Sequence, residues 1–107
     1  MIDYDGRRFY NPADDDGVIA QYHQQGNLVW ADFSGGNVRR GTVNGTCDSE
    51  GILGLAYTMV LVSGEVVVGY TLSTPEPDAS GRIRLREEWE RYGASATTGI
   101  SYLEEIR

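Results

Sequence analysis

Glycines separate short runs of β-branched and aromatic residues along the whole chain, and within those runs apolar and polar side chains alternate with a period of two. No stretch combines apolar residues at helical spacing with a helix-start signal, so the chain reads as all-β. The punctuation marks runs at Ile2 to Tyr4, Arg7 to Tyr10, Val18 to Gln24, Leu28 to Phe33, Val38 to Asn44, Ile52 to Val62, Glu65 to Thr74, Arg82 to Tyr92 and Thr97 to Ile106. That is about eight main strands joined mostly by hairpin-length loops. With 107 residues the chain has room for one domain, expected to span residues 1–107. A meander this small gains most by closing into an up-and-down antiparallel barrel, because closure removes both sheet edges.

Pairing arithmetic gives registers. A two-residue Ser63-Gly64 loop sets Leu61 against Val66, Met59 against Val68, Tyr57 against Tyr70 and Leu55 against Leu72, an inner face that is wholly apolar or aromatic. A four-residue loop at Gly93 to Ala96 sets Trp89 against Ile100, Glu87 against Tyr102, Leu85 against Glu104 and Ile83 against Ile106. The other face of that hairpin then carries Arg84 with Glu105, Arg86 with Leu103 and Glu88 with Ser101. For the Gly35-Gly36 hairpin two arrangements stay open. Either Trp30 covers Gly41 inside, an aromatic rescue of a strand glycine, or Phe33, Ala31 and Val29 point inward and bring Arg40 with them.

Charge narrows the function classes. The formal net charge is -7, and all nine cations are arginine. A basic nucleic-acid footprint and a polybasic membrane patch are absent, and no lysine is present for Schiff-base or phosphate-gripping chemistry. Arg82, Arg84 and Arg86 alternate on one strand face but share it with glutamates, as on a salt-bridged exterior. Cys47 is alone, which fits a reduced, cytoplasmic compartment. The polar stretch from Met1 to Tyr10 lacks a signal core, and the longest apolar run, Ile52 to Val62, is too short to span a bilayer as a helix. His23 has no second ligand at metal spacing, and Asp14-Asp15-Asp16-Gly17 lacks the alternation and distal carboxylate of a calcium loop. Neither a metal nor another cofactor is expected, and no nucleophile elbow, phosphate loop or dinucleotide fingerprint occurs.

The chemistry that remains is inside the expected barrel. Glu87 and Glu104 fall diagonally across neighbouring strands on the inner face, where two carboxylates do not both ionise readily and one is pushed up. Such a pair suits a ligand cation, an acid/base role, or bonds to Tyr102 and Arg91; the plainer reading has both hydrated at a barrel mouth. Tyr57, Tyr70, Tyr102 and Trp89 are candidates for a stacking surface in the lumen, or for its filling.

The opening Ile2-Asp3-Tyr4-Asp5-Gly6-Arg7-Arg8-Phe9, the turn Phe33-Ser34-Gly35-Gly36, Ser73-Thr74-Pro75-Glu76, the run Gly81 to Trp89 and the closing Leu103-Glu104-Glu105-Ile106 resemble a family of small bacterial proteins labelled N-acetylglutamate synthase. Phe33 stands where a Tyr often precedes Ser-Gly-Gly, and Arg86 where a His is common. The helix-opening Gln/Arg-x-x-Gly-x-Gly/Ala turn with which acetyltransferases hold coenzyme A has no match here. At the level of architecture the meander and its last hairpin are similar to avidin-like and lipocalin-like barrels, a likeness that does not carry a ligand with it.

The expectation is therefore an all-β, up-and-down barrel that binds a small molecule in a polar and aromatic lumen, with Glu87, Glu104, Tyr102, Trp89, Tyr57, Tyr70 and Arg91 as its lining. No residue is assigned a catalytic role. An enzyme working through Glu87 and Glu104 and a homodimer acting through its outer surface stand as alternatives.

Overall fold

In a computed structural model the structure describes residues 2–13, 17–94 and 96–106. Eight antiparallel strands close into one barrel in chain order: β1 (Arg8–Tyr10), β2 (Ile19–Gln25), β3 (Leu28–Gly35), β4 (Val38–Cys47), β5 (Leu53–Leu61), β6 (Val66–Pro77), β7 (Ile83–Arg91) and β8 (Thr97–Ile106). Short β1 completes the ring by pairing Phe9 with Ala20 of β2 on one side and with Glu105 of β8 on the other. Ile2 to Tyr4 forms no strand.

That N-terminal segment instead stoppers one end of the barrel. Tyr4 is fully buried, its hydroxyl donates to the Gly51 carbonyl at 2.6 Å and its backbone N–H donates to Gln24 Oε1 at 2.9 Å. Its ring lies 6.2 Å from that of Tyr22, which meets Phe9 edge to face at 5.0 Å. Around these rings Val29, Leu53, Leu55, Ile83 and Leu85 form a dry plug, since burying such side chains stabilises by roughly 1.5–3 kcal/mol each. The opposite end carries the β1–β2, β3–β4, β5–β6 and β7–β8 connections, and among the described residues it has no counterpart to this plug.

Near that open end three hairpins repeat one device. Phe33 faces Gly41, Tyr57 faces Gly69 and Trp89 faces Gly99 across directly paired strands. A Cβ on any of these glycines would come within 2.2–2.4 Å of the opposing ring, so each aromatic lies flat over a bare stretch of the neighbouring strand. The open question of the Gly35-Gly36 hairpin is thereby answered. Val29, Ala31 and Phe33 point inward; Arg40 does not follow them, because the pairing shifts between Val38 and Arg40 and leaves it exposed. Trp30 faces outward and stacks on His23 at 5.4 Å.

Two expected registers are corrected by one residue, and that of the Gly35-Gly36 hairpin by three, since Trp30, expected opposite Gly41, pairs with Asn44. In the β5–β6 hairpin Met59 pairs with Val67, Tyr57 with Gly69 and Leu55 with Thr71. The loop holds three residues: Gly64 N–H donates to Leu61 O at 2.9 Å, Leu61 N–H donates to Glu65 O at 2.9 Å, and Gly64 takes the left-handed φ of 91°. A turn closed by a glycine in that region adds a bulge residue, which a two-residue count misses. In the β7–β8 hairpin Arg91 pairs with Thr97, so that Glu87 faces Ser101 and Arg86 faces Tyr102. Each slip moves a set of side chains to the other face of the wall.

Candidate functional site

Above the plug the lumen opens into a cavity of about 280 Å³. Its walls are mostly apolar, with Phe9, Ala31, Phe33, Val43, Met59 and Leu103 among them. Polar side chains come from adjoining strands: Thr71 from β6, Glu87, Trp89 and Arg91 from β7, and Ser101 from β8. The alternation of β7 explains the set. Ile83 and Leu85 enter the plug, and the next inward positions, 87, 89 and 91, climb the lumen wall toward the open end.

Glu87 is the chemically distinctive member. Burial pushes its carboxyl up to about 7, and the opposing influence is one hydrogen bond, donated by Ser73 Oγ to Oε2 at 3.2 Å. No ion pair reaches it among the described residues. Burial, and secondarily the charge of Glu87, hold the Tyr22 phenol well above its ordinary range. Next to Ser73 along the inner face of β6, Thr71 is 5% exposed and its Oγ1 has no hydrogen-bond partner. A hydroxyl without a partner in an enclosed site is costly, on the order of 1–3 kcal/mol, unless something in the cavity satisfies it.

Toward the mouth the groups are aromatic and cationic. Trp89 Nε1 donates to Ser101 Oγ at 2.9 Å, which fixes the indole, and the Arg91 guanidinium sits 5.6 Å from the centre of that ring. Tyr57 donates to the Glu90 carbonyl at 3.3 Å; burial raises its phenol while Arg91 opposes the rise by charge and hydrogen bonding.

Of the candidate residues, Glu87, Trp89, Tyr57 and Arg91 line this cavity together. Glu104, Tyr102 and Tyr70 do not, and this corrects the expected inner face. The true registers turn them to the outer wall, where Tyr70 pairs with Ala56 and Glu90, and Tyr102 pairs with Arg86 and lies under Arg84 at 4.6 Å. Glu104 sits opposite Arg84, so the two carboxylates occupy opposite faces of the wall and form no acid/base dyad. Glu105, expected outside, lies at the stoppered end, where it pairs with Arg7 at 2.8 Å and accepts the Ile83 N–H at 3.1 Å. Arg84 with Glu76, and Arg86 with Glu88, make the salt-bridged exterior that the alternation suggested. Thr71 and Ser101 line the cavity although the sequence reading does not single them out, and Phe33 lines it as one of the two open arrangements of its hairpin has it. The directly opposed aromatic and glycine pairs were the available signal for the registers that bring them inside.

Elsewhere, no three His, Cys, Asp or Glu side chains gather around a metal-sized space among the described residues. The acidic run Asp14-Asp15-Asp16 lies outside the described residues. No helix among the described residues is long and apolar enough to cross a membrane.

Residues 2–106 match the sequence family described as "Avidin-like protein". No curated protein and no solved structure matches the chain.

Proposed function

The chain belongs to the avidin-like protein family, and on that premise we propose that its barrel is a binding module whose lumen receives one small organic molecule. The observation that carries this reading is a cavity of about 280 Å³, open at one end and furnished on its inner wall with Thr71 Oγ1, which lacks a partner. Binding pockets are typically apolar with a few converging polar groups, and this one sits at the small end of their range. Its occupant is a compact, largely apolar compound, oriented by Glu87 and Thr71 within and by Arg91 and Tyr57 at the mouth. Cys47 is the only cysteine, which fits work in the cytosol.

A metabolite library screened by thermal unfolding tests the proposal. A true ligand at about a hundred times its Kd stabilises by about 2.7 kcal/mol, and each kcal/mol raises Tm by about 4–8 °C in a domain of this size. Thr71→Val should weaken that shift without unfolding the protein. If no compound raises Tm, or if Thr71→Val leaves every shift intact, the lumen is not the binding site.

A second reading is favoured by the outer wall. Val66, Val68, Tyr70, Leu72 and Ile100 are 65%, 45%, 42%, 39% and 55% exposed, and none of them carries a charge. The four on β6 form one row along that strand, whereas Ile100 is set apart from them by Glu88. An exposed apolar row of this kind often marks an interface, and pairing with a second copy of the chain is its simplest form. Light scattering on the eluting protein gives the answer: a dimer mass that Val68→Glu reduces to a monomer supports it, and a monomer at every concentration refutes it.

A further inference from the structure

Among the described residues lining the lumen, Glu87 is the only carboxylate and Arg91 the only cation. The two stand four residues apart on one strand, about 13 Å along it, with Arg91 stacked on Trp89 toward the mouth. The other polar side chains that line the lumen are those of Tyr10, Asn11, Tyr22, Tyr57, Thr71 and Ser101, and Ser73 bonds to Glu87 directly. A buried carboxylate is tolerated when a cation and hydrogen bonds compensate it. Here one oxygen receives the Ser73 hydroxyl, and among the described residues the other has no partner and no cation reaches either. Thr71, whose Oγ1 has no partner, is the next inward residue of β6 after Ser73, the residue paired with Glu87.

We propose that the inner end of the lumen is a cation site. It takes the protonated amidine, guanidine or amine end of a ring-sized organic molecule, whose N–H groups donate to the free oxygen of Glu87 and to Thr71 Oγ1. The inference rests on the lumen being the binding site and adds the charge and donor chemistry of its ligand. Size agrees with it. An apolar cavity of about 150 Å³ holds benzene, so a cavity of about 280 Å³ accepts a single ring bearing an amidine. The site also has a direction with pH. The carboxyl, raised to about 7, must ionise to pair with a cation, so the affinity for an always-protonated ligand climbs as pH rises through that value and levels off above it. A ligand that instead accepts a proton from neutral Glu87 shows the opposite slope.

Three probes of one shape and different charge test this: benzamidine, benzamide and benzoate, titrated calorimetrically into the intact protein. Benzamidine is expected to bind more tightly than benzamide by about tenfold or more at pH 8, with benzoate weakest. Its affinity should rise by about tenfold between pH 6 and pH 8. Glu87→Gln should remove both the preference and the pH dependence while leaving benzamide binding in place, and Thr71→Val should weaken benzamidine without altering the pH slope. If benzamide or benzoate binds ahead of benzamidine, or the affinity for benzamidine falls as pH rises, the cation site is wrong and the lumen remains the binding site. Failure of all three probes to bind also overturns the cation site, and the library screen then judges the lumen separately.

Discussion

Replacing Glu87 with Gln should make the protein more stable relative to wild type as the pH rises. The side chain is enclosed in the lumen wall, and its carboxyl is raised from 4.5 to about 7 mainly by burial. Below pH 4.5 the group is protonated in both folded and unfolded chains and contributes nothing that depends on pH. Between 4.5 and about 7 the unfolded chain releases its proton while the folded one keeps it, so unfolding becomes progressively easier. Above 7 the loss levels off. At about 1.4 kcal/mol per pH unit it amounts to about 3 kcal/mol. Gln keeps the volume and the acceptor for Ser73 but cannot ionise. The difference in unfolding free energy between Glu87→Gln and wild type should therefore grow by about 3 kcal/mol from pH 4.5 to about pH 8, corresponding to a relative gain in Tm on the order of 10–20 °C. Urea titrations of both proteins across that range measure it, and pairs such as Arg7 with Glu105 are common to both and cancel. A difference that stays flat with pH would refute the enclosure of Glu87.

Other perturbations address the packing and the registers. Gly99→Val drives a side chain into the Trp89 ring, which a Cβ there already approaches to 2.3 Å, and should destabilise by about 1–3 kcal/mol; Thr98→Val, on the outer face of the same strand, should stay within about 0.5 kcal/mol of wild type by thermal unfolding. Val67→Thr, at a position 4% exposed, should cost about 1–2 kcal/mol in chemical denaturation, whereas Val68→Thr, 45% exposed, should cost almost nothing; the reverse order would restore the register with the two-residue loop. Tyr4→Phe removes the hydroxyl that satisfies the Gly51 carbonyl and should lower stability by about 1 kcal/mol in the same assay.

Strand count, order and closure follow from features that act locally. Period-two alternation and glycine punctuation mark β2 to β8 closely, because each depends on a few neighbouring residues. Facing is harder, because it turns on one residue in a loop. Val62-Ser63-Gly64 spans a three-residue turn with Gly64 in the left-handed region, and counting it as two sends Tyr70 inside. Apolar content supports the wrong choice. On β6 the outer residues Val66, Val68, Tyr70 and Leu72 are more apolar than the inner Val67, Gly69, Thr71 and Ser73. Choosing the core face by hydrophobicity assumes that the inside is filled with protein. Where the inside is a partly polar cavity the rule inverts, and on β8 it points Tyr102 and Glu104 inward for the same reason. Glu87, Trp89 and Arg91 face inward in either register, because both put the odd positions of β7 inside.

The lumen is expected to hold a ligand against Glu87 and Thr71. A crystal structure of the protein with the library compound that raises Tm most tests this directly. The expected result is density for the compound inside the barrel, with a polar atom about 2.7–3.2 Å from Glu87 or Thr71 Oγ1. Density confined to the outer wall, or a lumen filled by its own side chains beside a bound compound, would contradict it.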